Sequence, residues 1–346
     1  MPPLSLVESH QTEWTAHFRT PDDWQRNVEH LDGGYFHSPA GLDALAAPGQ
    51  AVFFEWRCGG ETVGIAAGLQ RPCQFSGAPL HVYLPTLPVV GPGWKREHGL
   101  RSLIASLRAQ RVAELICDSF HAEGVPPLDT APVELRRRFE YVMALDAPPM
   151  ALLNRWARGH RAQLEAAEGL GWVLGMPTGD DVCDVVGVVR REAAPACSLL
   201  DNEPFMSTPD IDIALGAVEL VNPWGRAVFV ALDDGRPLAL AVVGWAHRRA
   251  YHLLEIVTRA GRERSAMTWL YAQIVRTLCS HGFTSYHLGG APAAVADPRG
   301  EAYAFHRDRL GLGGVPVFNA SARWVLDTAH AVRHRVAVAP REALAV

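Results

Sequence analysis

The stretch "AVFVALDDGRPLALAVVGWAHRRAYHLLEIVTRAGRERSAMTWLYAQIVRTLCSHGFTSYHLGG", residues 227–290, decides how this chain folds. It opens with an apolar run, a D-D-G turn and a second apolar run, the pattern of a β-hairpin. A third strand follows from Ala250 to Thr258. Met267, Leu270, Tyr271, Ile274 and Leu278 then recur at helical spacing, which predicts one apolar helix face. "FTSYHLGG" reads as a closing strand that ends on two glycines.

The first half carries the same order. "AVFFEWRCGGETVGIAAGLQR", 51–71, is a hairpin around Gly59-Gly60, and "YFHSPAGLDALAA", 35–47, starts a helix at Ser38-Pro39. "HVYLPTLPVVGPGW", 81–94, is broken by prolines, which predicts a loop or edge rather than a central strand. Leu100, Leu103, Ile104 and Leu107 share a helix face ahead of a strand at 113–118, and "FEYVMALD", 139–146, is another strand. "MALLNRWARGHRAQLEAAEGLGWVLGMP", 150–177, reads as one helix stopped by Gly169 and Gly171 before a strand at 172–176. Further helical stretches lie around 180–193 and 209–221. The repeated order, in a chain of 346 residues, predicts α/β architecture: sheet with flanking helices, in two tandem domains over 1–150 and 151–320, followed by a C-terminal segment, 321–346.

Hydrophobic residues make up 48% of the chain and charged residues 20%, as in ordinary globular proteins. A net charge of −5 gives no global attraction to DNA or to an anionic membrane, although a local basic groove needs no net charge. Lys95 is the only lysine, so arginine supplies the positive charge, in a form suited to phosphate and carboxylate. Six scattered cysteines without a C-x-x-C pair point to reduced thiols in the cytoplasm. Neither H-E-x-x-H spacing, nor a signal-peptide pattern, nor an apolar run of about 20 residues occurs, so no metal and no membrane span are expected.

The order of elements is similar to the GNAT acyltransferase core, and its duplication resembles the FemABX-like and tandem-GNAT family. "YFHSPAGLDAL" resembles that family's opening F-x-S-P-x-W, with Gly41 where tryptophan is usual. "FEYVMALD" with "RWARGHRAQLEAAEGLGWVL" is similar to its strand and arginine-rich linker helix. Residues 255–290 resemble its helix of the form L-x-W-x-x-I and its strand ending in two glycines. "FHRDRLGLGG", 305–314, is similar to F-K-x-x-F-G, with His306 in place of the lysine and Leu310 in place of the second aromatic. His287 stands where an acid often precedes the glycines. The resemblance also suggests that 321–346 packs back on the first domain.

It implies acyl transfer: an aminoacyl group passes from aminoacyl-tRNA to a small amine-bearing acceptor, a cell-wall precursor or a specialised metabolite. No tightly bound cofactor is implied. The alternatives are transfer from acetyl-CoA or another acyl-CoA, and a non-catalytic binding protein on a degenerate scaffold. His306 and Arg307 are the candidate catalytic residues: an imidazole accepts a proton or donates to an oxyanion, and a guanidinium binds phosphate. Gly289 and Gly290 permit close approach at a strand end, with Phe305 as an anchor. Arg259, Arg262, Arg264 and Ser265 line the turn before the long helix, where a donor phosphate is held. Arg155, Arg158 and Arg161 are candidate tRNA contacts, with Arg136, Arg137 and Arg138 as a second basic cluster. Tyr83 and Thr86 are candidate acceptor contacts. No covalent intermediate is needed, in keeping with the lack of a G-x-S-x-G elbow.

Overall fold

A computed structural model describes residues 12–43, 50–71, 81–119, 132–193, 220, 222–300 and 302–327. Its first half contains β1 (Thr12–His17), α1 (Trp24–His30), α2 (Pro39–Asp43), β2 (Gln50–Cys58), β3 (Glu61–Arg71), β4 (His81–Leu84), β5 (Val89–Val90), α3 (Arg96–Ala109), β6 (Glu114–Asp118) and β7 (Glu134–Ala144). The second contains α4 (Pro149–Asn154), α5 (Arg158–Glu168), β8 (Val173–Gly175), α6 (Asp180–Arg191), β9 (Trp224–Asp233), β10 (Arg236–Ala246), β11 (Arg249–Val257), α7 (Arg259–Glu263), α8 (Ala266–Ser280), β12 (Ser285–Pro292), α9 (Tyr303–Gly311) and β13 (Val315–Val325). All but Leu220 of the expected helix at 209–221, and the end of the chain beyond 327, lie outside the described residues, as do Cys73 and Cys197.

The turns follow the residues that occupy them. Gly59 and Gly60 both have positive φ between β2 and β3, as do Asp234 and Gly235 between β9 and β10. These left-handed turns match the twist of a hairpin. The turn from β10 to β11 uses His247 and Arg248 in the same conformation, without a glycine. The α3 face of Leu100, Leu103, Ile104 and Leu107 is fully buried, and so is the α8 face around Trp269, Leu270, Ile274, Val275 and Leu278.

Two expectations are corrected. β4 is an interior strand, paired antiparallel to β3 and parallel to β6. It ends at Leu84, so Pro85 and Pro88 lie beyond it and take no ladder bond from it. The linker is two helices rather than one. Ala157 takes an extended conformation (ψ 147°), and its N–H donates to the Gly311 carbonyl at 2.8 Å instead of continuing α4.

The described strands form a thirteen-stranded sheet in the order β1-β2-β3-β4-β6-β13-β7-β12-β11-β10-β9-β8, with β5 attached to β3. The centre of this order holds an exchange. β7, the last strand of the first half, pairs with β12 of the second half, while β13, the last strand of the second, pairs with β6 of the first. The two exchanged strands pair with each other from Val315–Val142 to Arg323–Glu134. Each half therefore completes the other's sheet, and backbone hydrogen bonds run across the molecule without a break.

The opening segment of the first half also docks on the second. Tyr35 and Phe36 pack on Ala246 and Tyr251, and Tyr35 lies flat against Gly244, where a Cβ would come within 2.6 Å of the ring. Gly244→Ala is therefore expected to cost about 1–3 kcal/mol by overpacking. A lowered urea midpoint with an unchanged slope checks this, and an unchanged midpoint would show that the ring moves aside freely.

Within the second half, β11 and β12 are parallel partners only at Arg249–Ser285, Ala250–Tyr286 and Tyr251–His287. Beyond these pairs β11 runs on to Val257 along β10, and β12 runs on along β7. A bulge at Leu253, where the register with β10 shifts, bends β11 as it leaves. The sheet thus opens a wedge beyond the paired ends of two parallel strands, the place where ligands gather in open sheets.

Candidate active site

Side chains from four elements converge on this wedge. Arg309 on α9 donates to Glu255 of β11 at 2.9 Å and to the Tyr271 hydroxyl of α8. The Tyr271 hydroxyl donates to the other Glu255 oxygen at 2.5 Å. His252, three residues earlier on β11 and across the bulge, lies 3.3 Å from that oxygen and 2.7 Å, through Nδ1, from the Tyr286 hydroxyl of β12. The Arg309 guanidinium also sits over the rings of Phe305 and Tyr271, 4.7 and 5.3 Å from their centroids. Glu255 keeps 37% of its side chain exposed, whereas Arg309 is 4% exposed.

The charges follow. Desolvation pushes the Glu255 carboxyl up, but the Arg309 charge and hydrogen bonds from His252 and Tyr271 outweigh it and hold it well below the usual carboxylate range. Burial lowers His252, so it stays neutral, and raises both tyrosines. The wedge is an ion pair set among neutral donors.

Next to it, His306 of α9 stands over β7. Its Nδ1 is 2.7 Å from the Tyr141 hydroxyl, and its ring lies among those of Tyr141, Tyr303 and Phe139 at 5.7, 5.7 and 6.3 Å. Tyr141 faces a bulge in β12, because the register jumps from His287–Val142 to Gly290–Glu140. Leu288 and Gly289 together oppose Tyr141. Gly289 has φ +91°, and a Cβ there would meet nothing within 4 Å. The glycine is required by backbone conformation, and it leaves the backbone uncovered. Gly289, Gly290, Phe305 and His306 are thus brought together, around a tyrosine that the sequence did not single out.

Arg307, next along α9, is exposed. With Leu310 and Gly311 it lines a depression of about 420 Å³, whose other wall is Ala157, Gly159, His160 and Gln163 of α5. Arg158 and Arg161 are exposed on the same helix, and Arg155, just before it, pairs with Asp146 at 2.9 Å.

The remaining candidates are placed elsewhere. Arg264 is tied to Asp233 and covers the Trp172 ring at 5.0 Å. Arg259 pairs with Glu263 at 3.5 Å, and Arg262 is exposed. Ser265 precedes α8 in a left-handed conformation and makes no side-chain cap bond. Tyr83 and Thr86 are buried, and the Tyr83 hydroxyl donates to Asp118 at 2.7 Å. Arg136 pairs with Glu134, whereas Arg138 is buried in the seam between the halves. Among the described residues, no group of three metal-ligating side chains is in reach of a common ion, and no helix is long and apolar enough to cross a membrane.

That seam is polar. Glu140 of β7 bonds His287 of β12 at 2.9 Å and Asn319 of β13 at 3.2 Å, and Ser119, just past β6, bonds Asn319 and the Ala320 carbonyl. Glu140, Arg138 and Asn319 are at most 3% exposed. A buried row of this kind across exchanged strands favours the observed pairing over slipped ones, because a slip would leave each member unpartnered.

A model of the acetyltransferase (GNAT) domain matches residues 218–302. Among solved structures, FemX is similar with a TM-score of 0.53 at 12% identity, over 85% of this chain and 95% of that one. L-PGS from Bacillus licheniformis gives 0.54 at 13% identity, over 92% and 95%. A tandem GNAT protein from the clavulanic acid biosynthesis pathway gives 0.51 at 14% identity, over 92% and 99%.

This chain has the tandem GNAT fold.

No curated protein matches it in sequence. The resemblance to FemABX-like and tandem-GNAT proteins expected from the motifs therefore holds at the level of fold. In tandem GNAT terms, β9 to β12 with α8 form the matched unit, the wedge opens inside it, and β7 of the other unit borders it. Tyr141, Glu255, His252 and Tyr286 were missed in the sequence. A signal existed for two of them: His252 and Glu255 interrupt an otherwise apolar strand, "AYHLLEIV".

Proposed function

We propose that the protein is an N-acyltransferase that moves an aminoacyl group from aminoacyl-tRNA to a small amine-bearing acceptor, a cell-wall precursor or a specialised metabolite. The observation that carries this reading is where the exposed cations stand. Arg307 lines the α5–α9 depression and is the immediate neighbour of His306, and Arg158 and Arg161 are exposed on α5, the helix that forms the depression's other wall. Polyanion binding is dominated by such groups. The α7–α8 turn offers no comparable cradle for a pyrophosphate. Gly261 is packed under β10, where a Cβ would lie 2.2 Å from the Leu238 carbonyl oxygen, and Arg264 is committed to Asp233.

In this reading the exposed arginines hold the acceptor end of the tRNA. Gly289 and Gly290 let the aminoacyl ester lie against the β12 backbone, and Phe305 seats α9. Arg259, Arg262 and Ser265, at the α7–α8 turn, are outlying contacts for the donor in this reading. The ester is already activated, so orientation and oxyanion stabilisation are the enzyme's main tasks, the former alone contributing about 7–11 kcal/mol when alignment is good.

A second reading, transfer from an acyl-CoA, is favoured by the family model over 218–302, whose description is an acetyltransferase. The two are separated by offering the protein a tRNA pool charged with labelled amino acids, or labelled acetyl-CoA, each with a panel of amines. Label from the tRNA should enter a product that survives the mild base that cleaves esters. His306→Ala should slow this about 100-fold or more. Arg307→Ala should raise KM and lower the slope of log affinity against log salt by about one. Label arriving only from acetyl-CoA would overturn the tRNA reading, and none from either donor would favour a binding protein.

A further inference from the structure

The exchanged strand β7 brings the rings of Phe139 and Tyr141 of the first half against the candidate catalytic histidine of the second, and Tyr141 bonds it. We propose that Tyr141 is a positioning residue: its hydroxyl donates to Nδ1 of His306 and fixes the imidazole as the neutral Nε2–H tautomer, so that His306 acts as hydrogen-bond donor to the reacting carbonyl oxygen and not as the base that deprotonates the amine. The chemical role rests on the acyl-transfer reading. The tautomer does not.

The direction of the bond follows from the two groups. At 2.7 Å one of them must donate. A phenol is the better donor and an imidazole nitrogen the better acceptor, so the proton sits on the Tyr141 oxygen and Nδ1 accepts it. Desolvation pushes the Tyr141 hydroxyl up to about 12, partly offset by Arg309, so it keeps its proton at neutral pH. With Nδ1 occupied as an acceptor, the ring proton of the neutral imidazole belongs on Nε2.

Among the described residues, no carboxylate stands behind the ring. His306 is boxed by Phe139, Tyr141 and Tyr303, none of them anionic. Its charged neighbours on α9 are Arg307, which is exposed, and Arg309, which is paired with Glu255. The one carboxylate of this helix, Asp308, is turned to His160 at 3.0 Å. A histidine meant to collect a proton usually has a carboxylate behind it. This one has a phenol.

In the reaction, the amine nitrogen attacks the ester carbonyl carbon, a C–N bond forms, and the carbonyl pair moves to oxygen. The oxyanion accepts from Nε2–H of His306. Collapse breaks the bond to the 3′-oxygen of the tRNA, which takes the proton that nitrogen gives up. The products are an amide and a free hydroxyl, and His306 holds its own proton throughout. A neutral imidazole acting as an electrophile is a known use of this side chain.

The test is nitrogen NMR of the full chain labelled with [15N]histidine at pH 7, with the His306 signals assigned by their loss in His306→Gln. Wild type should show Nδ1 unprotonated and Nε2 protonated, and Tyr141→Phe should show a mixture of tautomers with a thermal midpoint close to wild type. An Nδ1–H tautomer, an imidazolium, or a Tyr141→Phe spectrum like wild type would overturn the proposal. Transfer from the charged-tRNA pool tests the role. Glutamine keeps an N–H donor near the Nε2 position but is no base, so His306→Gln should stay within about tenfold of wild type while His306→Ala falls about 100-fold. Equal losses would overturn the donor role. A wild-type protein that leaves charged tRNA untouched would end the tRNA reading, and the NMR result would still decide the tautomer.

Discussion

Replacing Arg309 by methionine is expected to lower the unfolding free energy by about 2–3 kcal/mol. Breaking a fully buried ion pair costs about 3–5 kcal/mol, because the remaining charge is left in a dry site. Here the charge left behind is Glu255, which is 37% exposed and can take up water, so the lower figure applies. Methionine retains most of the packing on Phe305 and Tyr271, which isolates the electrostatic loss from a cavity. The pair with Glu255→Gln supplies the control: the double variant should lose less than Arg309→Met alone, since no unpaired charge remains. Urea unfolding of the three variants measures this. A single variant as stable as wild type would mean that Glu255 and Arg309 do not hold α9 to β11.

Acidification is expected to destabilise the protein by about 3 kcal/mol through His37 alone. This histidine ends the opening segment of the first half and is 1% exposed. Gly34 N–H donates to its Nδ1 at 3.0 Å, and Nε2 lies 3.1 Å from the Leu87 carbonyl. Those two partners fix a neutral ring, with Nδ1 as acceptor and Nε2 as donor; a proton on Nδ1 would destroy the Gly34 bond. Desolvation, against the Leu87 bond and aided by Arg96 and Arg249, lowers its pKa from 6.5 to about 4. The folded value is depressed, so below about 6.5 the unfolded chain takes a proton that the folded one refuses. Stability from this group is complete above pH 6.5 and is lost progressively down to about pH 4. Each unit is worth about 1.4 kcal/mol. His252 shifts in the same direction. Glu255, depressed as a carboxylate, adds a loss at still lower pH, as the pH falls through the unfolded carboxylate value and below. His37→Gln should be less stable at pH 7 yet show a flatter decline to pH 4.5. An equally steep decline would place the proton elsewhere.

The elements that could be read from the sequence were those whose determinants are local. Gly59-Gly60 and Asp234-Gly235 mark their turns by conformation, and the α3 and α8 faces follow from spacing. β4 escapes a local reading because the nearby prolines suggest an interrupted strand, whereas the strand ends before the first of them. The break at Ala157 was invisible because it depends on the Gly311 carbonyl, more than 150 residues away in the chain. The exchange of β7 and β13 is likewise a matter of pairing between distant segments, which no local pattern encodes. Within "FHRDRLG", Arg307 and Arg309 look equivalent. Only the presence of Glu255 and Tyr271 behind one of them makes it the buried partner and leaves the other to solvent. Tyr141 was hidden in the same way: its role depends on a helix that returns to it from 165 residues on.

The measurement that tests the central claim most directly is the thermal stability of the full chain with a charged-tRNA pool, CoA or acetyl-CoA, each at low and at physiological salt. A ligand that binds only the folded state raises stability by about 2.7 kcal/mol at a hundredfold excess over Kd. The account predicts a clear rise in midpoint with charged tRNA that shrinks as salt increases, a smaller rise for Arg307→Ala, and none with CoA. A rise with CoA and none with tRNA would contradict it.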